Sequence, residues 1–206
     1  TPKCPFLCAM NKALRTMAMA IVVFVWNDLH AQCDRWQQRV RYTMQVELND
    51  QDHRFTGTTQ LLYTNNSPDT LREVFFHLYL NAFKPGSEMD VRSRTIADPD
   101  ERVGSRIAAL AEHEVGHQEV LDLRQDGKPA ELKPMGTVLK VILAKPLLPR
   151  KSTTFEYTFK GQVPVQIRRT GRNNAEEVAY SMAQWYPKLA EYDTRGWHAY
   201  PYVGRE

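Results

Sequence analysis

"RVRYTMQVELN", Arg39 to Asn49, alternates apolar and polar residues without a break. Val40, Tyr42, Met44, Val46 and Leu48 fall on one side of an extended chain, and Arg39, Arg41, Thr43, Gln45 and Glu47 on the other. That is the period of a half-buried β-strand and not of a helix. The polar turn "NDQDH" (49–53) separates it from a second such run, "FTGTTQLLYTN" (55–65), and "NSPD" leads into a third, "LREVFFHLYL" (71–80). The start of the domain therefore reads as a meander.

Working outward, the chain from "NAFKPGSEMD" (81–90) to about Gly104 is polar, carries Pro85, Gly86 and Pro99, and lacks any sustained apolar period, so it reads as a long loop. Strand composition returns in "GHQEVLDLRQDGKPAEL" (116–132), which holds an Asp-Gly turn, then in "TVLKVILAKPLL" (137–148) and "STTFEYTFKGQVPV" (152–165), joined by "PRK". Strands of five to ten residues split by Gly and Pro predict an all-β protein, an antiparallel curved sheet or sandwich, with no alternation of helices and strands. Toward the N-terminus, "MNKALRTMAMAIVVFVWNDLHAQC" (10–33) has a basic start, an apolar run and a polar exit, the order of zones in a signal-peptide helix. The expected organisation is an upstream extension at 1–9, a leader at 10–32 cut near Ala31 or Gln32, and one β domain over 33–206 that is exported. The apolar run is short for a retained membrane span. Cys33 follows the cut, but Gln32 occupies the place where lipidation wants a small residue. A net charge of +3 provides no footprint for nucleic acid.

"HEVGH" (113–117) carries the letters of a zinc-protease helix, in which His113 and His117 would share a metal and Glu114 would activate its water. The flanking residues argue otherwise. No third ligand stands at a familiar spacing, Glu119, Asp122 and Glu131 being the spare carboxylates, and the alternation in "EVLDLRQ" starts directly behind His117. A turn and a strand start over Glu112–Gln118, with Gly116 as a turn residue, is the expected structure. His77 and His198 sit singly among aromatic residues and read as structural histidines. Arg168, Arg169 and Arg172 read as a solvated loop. "SMAQWYPKLAEYDTRGWHAYPY" (181–202) gathers Trp185, Tyr186, Trp197, Tyr200 and Tyr202, and is open to two readings, a binding platform or a packed interdomain corner.

Four patches together resemble one family: "YTNNSPDTLREVFFHLYLNAFKPGS" (63–87), "DPDERVGSRIAAL" (98–110), "EYTFKGQVPVQIRRTGR" (156–172) and, most specifically, "AQWYPKLAEYDTRGWHAYPYVGRE" (183–206). From about Trp36 onward the chain is similar to the N-terminal saddle domain of bacterial zinc metallopeptidases of the aminopeptidase N family. The resemblance implies a non-catalytic β domain without cofactor of its own, whose partner is a downstream catalytic domain. The zinc, and the contact with peptide substrates, would belong to that second domain. It further implies that Trp185, Tyr186 and Trp197 pack between domains, and that Gln184 is the candidate for touching a substrate amine. The Glu-bearing motif of the better-known branch is not matched. Two other readings stay open: a small autonomous zinc hydrolase using His113, His117 and Glu114, and a free-standing exported β-sandwich that binds a ligand.

Overall fold

A computed structural model describes residues 36–97 and 101–204. The predicted leader, its cleavage site, Cys33 and the segment 1–9 lie outside the described residues. Strands β1 (Arg39–Asn49) and β2 (Arg54–Thr64) form the expected hairpin, paired without a break from Arg39 opposite Thr64 to Asn49 opposite Arg54. They join β8 (Ser152–Gln162), β4 (His117–Gln125) and the short β5 (Lys128–Pro129) in a five-stranded antiparallel sheet of order β1-β2-β8-β4-β5. β9 (Gly171–Arg172) and β10 (Tyr180–Ser181) pair with each other in a separate short ladder. A second large sheet contains β3 (Leu71–His77), β6 (Glu131–Met135), β7 (Val138–Leu147) and β11 (Lys188–Leu189), in the order β11-β3-β7-β6. The fold is all-β, as the alternation predicts.

The two large sheets face each other over one core. Phe76 of the second sheet meets Phe155 and Tyr157 of the first at ring distances of 6.3 and 5.6 Å, and Leu61, Val74, Val120, Val141 and Val163 close the interior around them. Inward-facing side chains alternate along β2 and β8 with exposed polar ones, so period-two patterning and burial agree strand by strand. The Asp126-Gly127 turn between β4 and β5 has positive φ at both residues (48° and 77°), as a tight hairpin of matching twist requires. Asp126 also accepts from Thr153 Oγ1 at 2.7 Å and from the Thr154 amide at 2.8 Å, tying the turn to β8.

Three expectations need correction. The supposed loop after residue 81 contains a helix, α1 (Glu88–Thr95), started by Ser87, whose side chain accepts from the Asp90 amide at 3.2 Å. Asp90, buried, holds Arg94 through two 3.0 Å bonds and accepts from the Gly86 amide at 2.8 Å. Met89 and the following turn residues Val103 and Ile107 cover a satellite core with Ala82, Phe83 and Ile167. β3 stops at His77, because the chain then tightens into a 3₁₀ turn (Tyr79–Ala82) that drives Leu80 and Ala82 inward. And β1 is not half-buried along its length: only Tyr42 and Met44 are partly covered, while Val40, Val46 and Leu48 stand 38%, 39% and 44% exposed.

Candidate functional site beside His117

Residues Glu112–Val115 form a turn and β4 begins at His117, as expected for this stretch. Its three side chains do not converge: Glu114 and His117 have separate partners, and His113 is exposed. Glu114 accepts from the Ala111 amide at 2.9 Å, closing its own turn, and the carbonyl of His113 accepts from Arg172 Nη2 at 2.9 Å. His117 Nδ1 lies 2.8 Å from Lys84 Nζ. Gly116 does not serve through an unusual φ, as a turn residue would. A methyl at this position would overlap the carbonyl oxygen of Leu80, and the Gly116 amide donates to Phe83 at 2.9 Å, so glycine permits two backbones to touch. No group of three or more His, Cys, Asp or Glu suited to a metal occurs among the described residues.

The second histidine of this motif lines a pocket of about 650 Å³ between β4, the β6–β7 hairpin and the residues leading into α1. Leu78, Val120, Leu132 and Leu139 supply apolar wall, and Lys84, His117 and Glu119 supply charge. Lys84 Nζ, His117, Glu119 and Lys160 form a row: His117 Nε2 is 3.6 Å from Glu119 Oε2, which is 3.1 Å from Lys160 Nζ. Burial pushes the His117 pKa down, and the neighbouring Lys84 ammonium adds to that. Burial likewise lowers Lys84, whereas the hydrogen bond from Lys160 lowers Glu119. A neutral imidazole fits this row, with its Nδ1 lone pair toward the ammonium and its Nε2 proton toward the carboxylate. Chemically, the pocket suits an apolar group with a polar end near Lys84.

On the opposite side of β4, Gln118 reaches the aromatic segment. Its Nε2 donates to the Trp185 carbonyl at 2.6 Å, and its own amide and carbonyl pair with the side chain of Asn81 at 2.9 and 3.0 Å. Thr170 Oγ1 holds the carbonyl of Ala183. Between these two anchors Gln184 is exposed, with a left-handed φ of 55°. Trp185 packs edge-on to Phe55 at 5.8 Å and beside Phe159 at 6.3 Å; Tyr186 meets Tyr42 at 5.4 Å; Trp197 lies against Phe75 and Tyr192 at 5.7 and 5.0 Å. The aromatic cluster thus completes the core of its own domain at the open side of the sandwich, and Tyr200, 72% exposed, is the ring it leaves outside.

His77 and His198 are structural. The His77 ring stacks on Tyr79 at 5.0 Å and shares a 3.1 Å hydrogen bond with the His198 carbonyl, while His198 Nε2 lies 2.9 Å from Asp193. Arg172, expected in a solvated loop, is buried, and Arg168 pairs with the Tyr202 hydroxyl at 3.2 Å. Lys84 and Lys160, which complete the charged row, have no signal in sequence spacing, because they come from segments 33 and more residues away from His117.

No family model and no curated protein matches the chain. Among solved structures it is similar to an M1 zinc metallopeptidase from Deinococcus radiodurans, at 13% identity and a TM-score of 0.43, over 72% of this chain and 26% of that one. A two-domain M1 zinc metallopeptidase variant bound to L-tryptophan gives 14% identity and a TM-score of 0.43, over 81% and 29%. The variant bound to L-arginine gives 13% and 0.44, over 74% and 28%. The chain spans less than a third of the length of each of these structures.

Proposed function

We propose that this chain is the N-terminal, non-catalytic β domain of an exported zinc metallo-aminopeptidase, an enzyme that removes N-terminal residues from peptides. The observation that carries the reading is the use made of "HEVGH": His113 sits in a turn, His117 starts a strand and is bonded to a lysine, and Glu114 caps its own turn. A cation 2.8 Å from the imidazole nitrogen disfavours a metal at that nitrogen. The zinc chemistry that the sequence resemblance implies therefore belongs on a separate catalytic domain following this one, and that domain is the first partner. Tyr200, Tyr186 and the outer edges of Trp185 and Trp197 would face it. Gln184, exposed on a left-handed residue between two anchored carbonyls, is the group of this domain offered to a substrate's α-amine.

The test is to read the transcript past the codon for Glu206 and to assay the present chain with zinc on aminoacyl-amide substrates. An open frame encoding a helical zinc motif with a downstream glutamate ligand, and no turnover by the chain alone, is the expected result. A stop codon directly after Glu206, or turnover that Glu114→Gln abolishes, overturns the reading in favour of a free-standing module or an autonomous hydrolase.

A further inference from the structure

The four edges of the two large sheets are not treated alike. β5 is two residues long and ends in Pro129; β6 carries Pro134; β11 is two residues long. Where β4 runs past β5, a bulge between Leu121 and Arg124 bends it, and the Asn81 side chain satisfies both the amide and the carbonyl of Gln118. Short strands, prolines, bulges and side-chain caps are the devices by which sheets avoid pairing with foreign strands. β1 has none of these; of the charged residues that can also guard an edge it carries Arg39, Arg41 and Glu47. It runs eleven residues without Pro, Gly or bulge, and among the described residues its backbone pairs with β2 alone.

We infer that β1 pairs with β1 of a second copy of this chain, antiparallel across a two-fold axis through Met44, so that two five-stranded sheets become one of ten strands. The residues of β1 select this occupant. Opposite residues in such a pair have numbers summing to 88, and this places Arg41 across from Glu47 twice per dimer, Val40 across from Leu48 and Tyr42 across from Val46. Thr43 meets Gln45, Arg39 meets Asn49, and no like charges are opposed. The three exposed apolar residues of β1, Val40, Val46 and Leu48, all lie on one face, and the pairing stacks each against an apolar neighbour of the other copy. The inference rests on β1 alone and holds whether or not a catalytic domain succeeds Glu206.

Sedimentation equilibrium of the full chain over a wide concentration range tests it, with Arg41→Glu and Glu47→Arg as separate variants. Both sites are exposed, so both variants fold, which circular dichroism checks. Wild type is expected to dimerise, and each variant, opposing two like-charge pairs, to raise the dissociation constant about tenfold. Mixing the two variants is expected to restore the wild-type constant, since in the heterodimer every opposed pair is again Arg with Glu or its reverse. A wild type that stays monomeric means that the edge is covered by another part of the chain or by another molecule, and overturns the proposal. So does a dimer unmoved by either variant, or one that mixing does not restore.

Discussion

β1 and β2 are neighbours of equal length, paired residue for residue, and both alternate apolar with polar residues, yet their fates differ. On β2 the inward side chains of Phe55, Leu61 and Tyr63 are sealed at 2% exposure or less, whereas Val40, Val46 and Leu48 on β1 are not. Alternation tells which face of a strand is apolar. What covers that face depends on how far the second sheet extends, and here β11 and Tyr186 meet β1 at Tyr42, while Met44 is the other β1 residue packed against the core. The Tyr42 hydroxyl marks the limit of that cover, accepting from the Leu189 amide at 2.8 Å.

The contrast is broken most forcefully by truncation. Leu61→Ala opens a cavity in the sealed face and is expected to cost about 3 kcal/mol, whereas Leu48→Ala on β1 is expected to cost less than about 1 kcal/mol. Urea unfolding of both variants measures the difference, and equal losses would mean that β1 is covered as fully as β2. A glycine sharpens the same point from the crowded side. Gly116→Ala forces a methyl onto the Leu80 carbonyl, with Phe83 behind it, and is expected to destabilise by about 2 kcal/mol, again read by urea unfolding.

Protonation extends the comparison to titrating groups. His77 and His117 both lie in covered positions, and burial holds both below their ordinary value near 6.5. His77 Nδ1 is buried without a hydrogen-bond partner among the described residues, so a proton added there would find no acceptor. The unfolded chain binds these protons first. Stability is therefore full above the ordinary histidine value and declines as pH falls through the lowered folded values. The urea midpoint is expected to drop from about pH 7.5 to about pH 5.5, and His77→Gln to flatten part of that slope.

How much of this was legible depends on which signals are local. Strand alternation, the Asp126-Gly127 turn and the strand start behind "HEVGH" all rest on residues within a few positions of one another, and all three are found in the fold. α1 has no apolar stripe, so it leaves no helical period in the sequence. Its one legible mark was Ser87 three residues before Asp90, the spacing of a capping box without the usual glutamate. The pocket was invisible, since its charged row draws Lys84, His117 and Lys160 from three elements that only the sheet topology brings together. The aromatic segment was legible as a cluster but not as the lid of its own core, because the exposure of a ring depends on the neighbouring sheet and not on its own sequence.

The smallest expected effect lies on the open side of the molecule. Asp193 ends the two-residue strand Tyr192–Asp193 at the start of a surface turn, lies 2.9 Å from His198 Nε2, and accepts from the Arg195 amide at 2.7 Å. The His198 side chain first, and that amide second, hold its pKa down to about 2 from the ordinary 3.8. The pH direction is the same as for the partly buried histidines but the origin is opposite: here the charged form is favoured in the folded state, so its contribution is present above the ordinary carboxylate value and is lost as pH falls toward about 2. Because the group is solvated, water and salt screen most of this, and Asp193→Asn is expected to leave the urea midpoint at neutral pH almost unchanged. The pair should instead be visible in the carboxyl carbon resonance of Asp193, which is expected to titrate well below the ordinary aspartate value of 3.8 and to move up toward it in His198→Ala. A normal titration in the wild type would show that the open turn holds its ion pair no better than water does. It would also confine the electrostatic part of the contrast between covered and uncovered residues to the partly buried histidines.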